Sequence, residues 1–99
     1  MNIQKLKKRF VYDLQTVLKT PQGRRVLWRL LQAAQIRQHG FVPNDSAATA
    51  FHCGQRSIGL FLLDEIEQAQ PGAYQQMRGE YQAEINSVQQ QLDQENTHD

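Results

Sequence analysis

Phe51-His52-Cys53-Gly54-Gln55-Arg56-Ser57-Ile58-Gly59-Leu60-Phe61-Leu62-Leu63 decides the fold class, and Gly23-Arg24-Arg25-Val26-Leu27-Trp28-Arg29-Leu30-Leu31 follows the same plan upstream. Each begins polar and glycine-bearing, then runs into a dense apolar stretch at helical spacing. Phe51, Ile58, Phe61, Leu62 and Ile66 make a broad apolar face, with Leu60 and Leu63 partly off it. A helix apolar on so much of its surface is expected at the centre of a bundle. Gly54 and Gly59 should each cost ~1 kcal/mol against alanine in a helix interior. Both are therefore read as points where a neighbouring helix or a partner approaches the backbone.

Working outward, Asp45 or Ser46 caps this helix, which should end near Ala69. Before it, Phe41-Val42-Pro43-Asn44-Asp45-Ser46 is a loop whose two apolar residues are expected to pin it to the core. The upstream helix should run from about Pro21 to Gln38, with Thr20 as cap and Pro21 in the first turn. Its expected buried face is Leu27, Leu30, Leu31 and Ala34, flanked by Val26 and Trp28, the latter read as core. His39-Gly40 is its expected stop, by a left-handed cap. The first helix, about Ile3 to Lys19, carries Ile3, Leu6, Phe10, Leu14 and Val17 at steps of three and four. After Pro71-Gly72 the last helix, about Ala73 to Gln94, carries Tyr74, Met77, Tyr81, Ile85, Val88 and Leu92. That is a narrow, coiled-coil-like seam. The expected fold is all-α: a small bundle of about four helices with the long C-terminal helix projecting. Residues 1–94 form a single helical domain and residues 95–99 a flexible tail.

Ninety-nine residues suffice for one modest core. No apolar run approaches the ~20 residues of a membrane span. Asp13 and Gln15 break what would be the apolar part of a secretory leader, so none is expected. One cysteine allows no internal disulfide, which suits a reducing compartment. The net charge of +1 conceals a polarised chain. Nine bases face one acid through Arg37, and two bases face nine acids thereafter, so +8 is followed by −7. The halves either neutralise each other across the helix packing or present separate faces to an acidic and a basic partner. Lys5, Lys8 and Arg9, with Arg24, Arg25 and Arg29, are the candidate contacts to phosphate or to an acidic partner, in a stripe along two antiparallel helices.

Catalysis finds no support in the residues. His52-Cys53 is the one adjacent pair of metal-capable side chains, yet neighbours on a helix point about 100° apart, and His39 and His98 lack ligand spacing. Cys53 is read as a small buried apolar residue, and Asp64, Glu65 and Glu67 as a solvated acidic face. No metal, cofactor or catalytic residue is expected.

Gly23-Arg24-Arg25-Val26-Leu27-Trp28-Arg29-Leu30-Leu31, then Phe41, Ala50-Phe51, Gly54-x-Arg56-x-x-Gly59-Leu60-x-Leu62-Leu63, Pro71-x-x-Tyr74 and Met77-x-x-Glu80 resemble a small family of tailed-bacteriophage proteins. This is the Bbp-type (Bordetella phage-type) structural-protein domain. The resemblance runs from about Phe10 to Tyr81. It implies a gene among those for portal, capsid and tail, and a non-enzymatic virion protein made in the bacterial host cytoplasm. One departure stands out: the family tends to place glutamate before the second motif's glycine, where this chain has Cys53. Within that frame Met77, Tyr81, Ile85, Val88 and Leu92 are the candidate oligomer contacts. The expected partners are further copies and portal, tail or ejection proteins, with non-specific DNA contact as the alternative role of an accessory protein or adaptor.

Overall fold

Each helix begins where a side chain takes up a backbone N–H that the helix itself leaves unpaired. The computed structural model describes residues 2–96, and these contain four helices and no strand: α1 (Ile3–Leu18), α2 (Pro21–Ala33), α3 (Ser46–Ala69) and α4 (Ala73–Asn96). The Asn2 side chain accepts from Lys5 N at 2.9 Å, Thr20 Oγ1 from Gly23 N at 2.9 Å, and Asp45 Oδ1 from Ala48 N at 2.9 Å. Pro21 occupies the first turn of α2, as expected. Ahead of α4 the acceptor comes from α3: Glu67 takes Gly72 N and Tyr74 N, each at 2.9 Å. Glu67 therefore starts a helix rather than idling on a solvated face.

The end of α2 departs from expectation. The helix stops at Ala33, five residues short of Gln38, because Gln35 adopts φ 55°, a left-handed conformation uncommon outside glycine. The Gln55 side chain reaches from α3 to the freed Ala33 carbonyl at 2.7 Å, and Ile36 turns inward and is buried. Gly40 has a different role from the expected stop. A Cβ there would meet Cys53 Sγ at 2.6 Å and Cys53 N at 2.8 Å, so it lets the loop lie against α3. Thr49 holds that loop by donating to and accepting from the Val42 backbone. Phe41 is exposed and pins nothing within the chain. α4 continues to Asn96, past the expected end of the helix; the rest of the expected tail, with His98, lies outside the described residues.

Leu18 of α1, Leu27, Trp28 and Leu31 of α2, Ile36, Ile66 and Ala69 of α3, and Ala73 and Met77 of α4 form the core. Trp28 is thus core, as read. α2 and α3 share the centre, each packing on the other three elements. The radius of gyration is 18.0 Å, where a compact chain of this length has about 13 Å. The principal extents of 66 × 43 × 16 Å describe a slab.

So thin a body buries one side of its helices and leaves the other open. On α1, Leu18 is buried with Val11 and Leu14 packed beside it, while Ile3, Leu6, Phe10 and Val17 of the expected stripe are exposed. On α2, Leu30 and Val26 are exposed. On α3, Leu62, Leu63 and Ile66 turn inward, while Phe51, Ile58 and Phe61 face out.

Candidate interaction site

Arg24 ties three helices together. Its Nη1 donates to the Leu18 carbonyl at the end of α1 at 2.8 Å, taking one of the acceptors that the helix end leaves open. Nε and Nη2 donate to Glu80 Oε1 and Oε2 of α4 at 2.8 and 2.9 Å, a bidentate pair whose two parallel bonds fix direction as well as distance. The hydrogen bond from Glu80 raises the Arg24 pKa further above its already high value, against the lowering effect of burial. Gly23 makes this corner possible: any Cβ there would run into the Val17 carbonyl oxygen. Arg24 is thus a clamp in the fold and not a phosphate contact, and the polarised charge is neutralised at this point.

Arg25 and Arg29 remain exposed. They line a pocket of about 140 Å³ between α2 and α4 with Trp28, Tyr81 and Glu84. The Trp28 ring lies 5.5 Å from those of Tyr74 and Tyr81, and its Nε1 is buried without a hydrogen-bond partner. Lys5, Lys8 and Arg9 are exposed on α1, where Lys8 lines a separate depression with Lys7 and Tyr12. The expected single basic stripe is thereby divided: the α2 arginines stand beside the acids of α4, and the α1 bases stand apart.

The two motif glycines behave differently. A Cβ on Gly59 would overlap Ala34 Cβ and come within 2.5 Å of Ile36 Cγ2, so the left-handed turn after α2 rests on this glycine. A Cβ on Gly54 would meet nothing within 4 Å, so nothing in the chain approaches the backbone there. Cys53 is exposed, contrary to expectation, because α3 turns that face away from the core. One turn along, Arg56 Nε is buried without a partner. Among the described residues no group of three or more His, Cys, Asp or Glu side chains is placed to hold a metal, and no helix is long and apolar enough to cross a membrane.

Two apolar surfaces stand open. Met77 is 2% exposed and belongs to the chain's own core, which corrects its expected role as an oligomer contact. Beyond it the seam surfaces: Tyr81, Ile85, Val88 and Leu92 are 45–52% exposed, and every described residue from Tyr81 onward is exposed. The second surface is a groove of about 540 Å³ between α1 and α3. Ile3, Leu6 and Phe10 line one wall and Phe61 the other, with Lys7 and Glu65 also lining it.

Sequence reasoning missed Glu67, Gln55 and the role of Glu80. Glu80 was visible in the quoted Met77-x-x-Glu80 motif, and the excess of bases before Arg37 was the sign that an acid downstream would meet one of them. The Bbp19-like phage protein family model matches residues 14–78. No curated protein and no solved structure matches the chain. The family match takes in about two thirds of the chain, including Arg24 and Leu18, the α2 turn and all of α3 but not Glu80, and ends before the open seam of α4. The chain belongs to the Bbp19-like phage protein family.

Proposed function

We propose that this phage protein is a non-enzymatic structural component of the virion, assembled in several copies at the portal and head–tail region or carried as an internal protein ejected with the DNA. It is made in the host cytoplasm and packaged with the particle. The observation that carries the reading is the pairing of phage-family membership with a chain that, among the described residues, exposes more large apolar side chains than it buries. Monomeric proteins rarely expose large contiguous apolar patches, and such patches mark interaction surfaces. The last helix, through Tyr81, Ile85, Val88 and Leu92, supplies subunit contacts, and the other open surfaces meet further virion proteins.

Quantitative mass spectrometry of purified particles and of DNA-free ghosts tests this. A fixed copy number in both identifies a part of the shell, portal or tail. Presence in full particles and loss from ghosts identifies an ejected protein. Absence from both refutes the virion reading.

A second reading, an accessory protein that binds DNA during packaging or infection, draws on the exposed Lys5, Lys7, Lys8 and Arg9 of α1 and on Arg25 and Arg29 of α2. Each phosphate contact steepens the salt dependence of duplex binding by about 0.9 in log–log slope. Arg24 is engaged by Glu80, so the informative changes are Arg25→Ala with Arg29→Ala, and Lys5→Ala with Lys8→Ala and Arg9→Ala. Absence of binding at low salt refutes this reading.

A further inference from the structure

The exposed distal part of α4 and the α1–α3 groove are both apolar, and the α1 side of the groove carries charge opposite to that of α4. Along residues 82–96 the charged residues are Glu84, Asp93 and Glu95, with no lysine or arginine. The first two turns of α1 carry Lys5, Lys7, Lys8 and Arg9, with no acid before Asp13. Lys7 lines the groove itself; Glu65 lies in the α3 wall, so the complementarity is with the α1 side. Ile85, Val88 and Leu92 are the apolar counterpart of Ile3, Leu6, Phe10 and Phe61, and all seven are exposed in the single chain. The apolar stretches also agree in length: Ile85 to Leu92 on α4 and Ile3 to Phe10 on the α1 wall each span eight residues, about 12 Å of helix.

We infer that residues 81–96 of α4 dock in the α1–α3 groove of another copy of this chain, so that the protein assembles head to tail. The competing use of the seam, α4 against α4 of a second copy, brings Glu84, Asp93 and Glu95 of each helix into one interface, where Arg78, ahead of the seam, is the single base of α4. Flanking charges of one sign set coiled-coil partner choice against self-pairing. In the head-to-tail arrangement the same acids meet the α1 bases. Its two surfaces differ, so each copy gives one and receives one, and the assembly closes into a ring or grows as a filament. An isolated helix of this length is marginal in water, so the seam gains order as well as burial on docking. The inference rests on the proposed self-assembly of the chain and adds which surface meets which.

The test uses the full chain and two double variants: Ile85→Asp with Val88→Asp on the seam, and Leu6→Asp with Phe10→Asp on the groove. All four positions are exposed, and circular dichroism checks that both variants keep their helices. Light scattering behind size exclusion then reads the mass. The expected result is a wild-type oligomer, two monomeric variants, and a species of twice the monomer mass when the variants are mixed. That rescue arises because each variant keeps the surface the other lacks. A wild-type oligomer with no rescue on mixing, or with either variant still oligomeric alone, overturns the head-to-tail inference and leaves self-assembly standing. A monomeric wild type overturns both. Should a variant fail to fold, charge reversal replaces it: Lys7→Glu with Lys8→Glu, and Glu84→Lys with Asp93→Lys. Each reversal alone should weaken assembly, because it sets like charges against each other, whereas mixing the two reversed proteins should restore assembly by alternation, as should combining both reversals in one chain. Failure of that restoration also overturns the inference.

Discussion

Replacing Gly59 and Gly54 by alanine, one at a time, should move stability in opposite directions although both sit inside α3. In a helix interior alanine is favoured over glycine by ~1 kcal/mol, and that gain applies equally at both positions. At Gly54 it stands alone, since the new methyl group meets nothing within 4 Å. At Gly59 the methyl would sit within 2.5 Å of Ile36 Cγ2, and Ala34 Cβ would be closer still. Carbon atoms rest at about 3.5–4.0 Å, so the turn after α2 must retreat by roughly 1 Å. That turn is held by buried Ile36 and by the 2.7 Å bond from Gln55 to Ala33, and it already carries a left-handed Gln35. Overpacking of this kind costs about 1–3 kcal/mol.

The propensity gain cancels between the two variants, so the overpacking alone separates them. At about 4–8 °C per kcal/mol for a domain of this size, Gly54→Ala should melt roughly 5–20 °C above Gly59→Ala. Thermal unfolding followed by circular dichroism at one fixed protein concentration reads the difference, because association would otherwise shift both midpoints. Adding Ala34→Gly to Gly59→Ala removes one of the two overlapping atoms and should recover part of the loss, a coupling that distant sites would not show. Equal midpoints for the two alanine variants, or the reverse order, would refute the assignment of Gly59 as the contact on which the turn rests.

Glu67→Ala removes the acceptor for two N–H groups before α4 and should lower stability by about 1–3 kcal/mol in urea, with Glu67→Gln less affected. Arg24→Ala and Glu80→Ala should each lower the melting temperature, and the double change should cost less than their sum, because each single change leaves the other partner without its bidentate contact. Ile66→Ala, at a fully buried side chain, should cost about 2–5 kcal/mol, whereas Phe61→Ala should leave the monomer's stability within about 0.5 kcal/mol. Cys53→Glu places a carboxylate one turn before Arg56 and should stabilise the fold by about 0.2–0.5 kcal/mol in chemical denaturation; a loss would show that Arg56 Nε does not turn toward that face.

The helix count and most boundaries were legible because their causes are local. Thr20-Pro21, Asp45 and Pro71-Gly72 act within a few residues of themselves, and the helices begin where those signals stand. The end of α2 was not legible, because its cause lies in α3. Gln35 is held left-handed by a turn that Gln55 caps and Gly59 accommodates, and a tripeptide's own preferences would sooner have placed the break at Gly40. The Arg24 clamp sat between these extremes. Both partners stood in recognisable motifs, but pairing residues 56 positions apart requires the packing of α2 on α4 to be known.

The misread faces share one physical origin. Helical periodicity reports which side of a helix avoids water, and it is indifferent to whether the cover comes from the same chain or from another. Ile3, Leu6 and Phe10 keep that periodicity on α1, Ile58 and Phe61 on α3, and Ile85, Val88 and Leu92 on α4, yet the chain's own core is built from Leu18, Leu31, Ile66 and Met77 at the other sides or ends of those helices. A core that small, in a slab 16 Å thick, leaves more large apolar side chains exposed than buried among the described residues. Selection for a stable monomer would give those outer positions polar side chains at little cost to the core. Their apolar pattern is the feature from which the proposed self-assembly is argued, and it is the pattern a subunit would have if assembly completed part of its core.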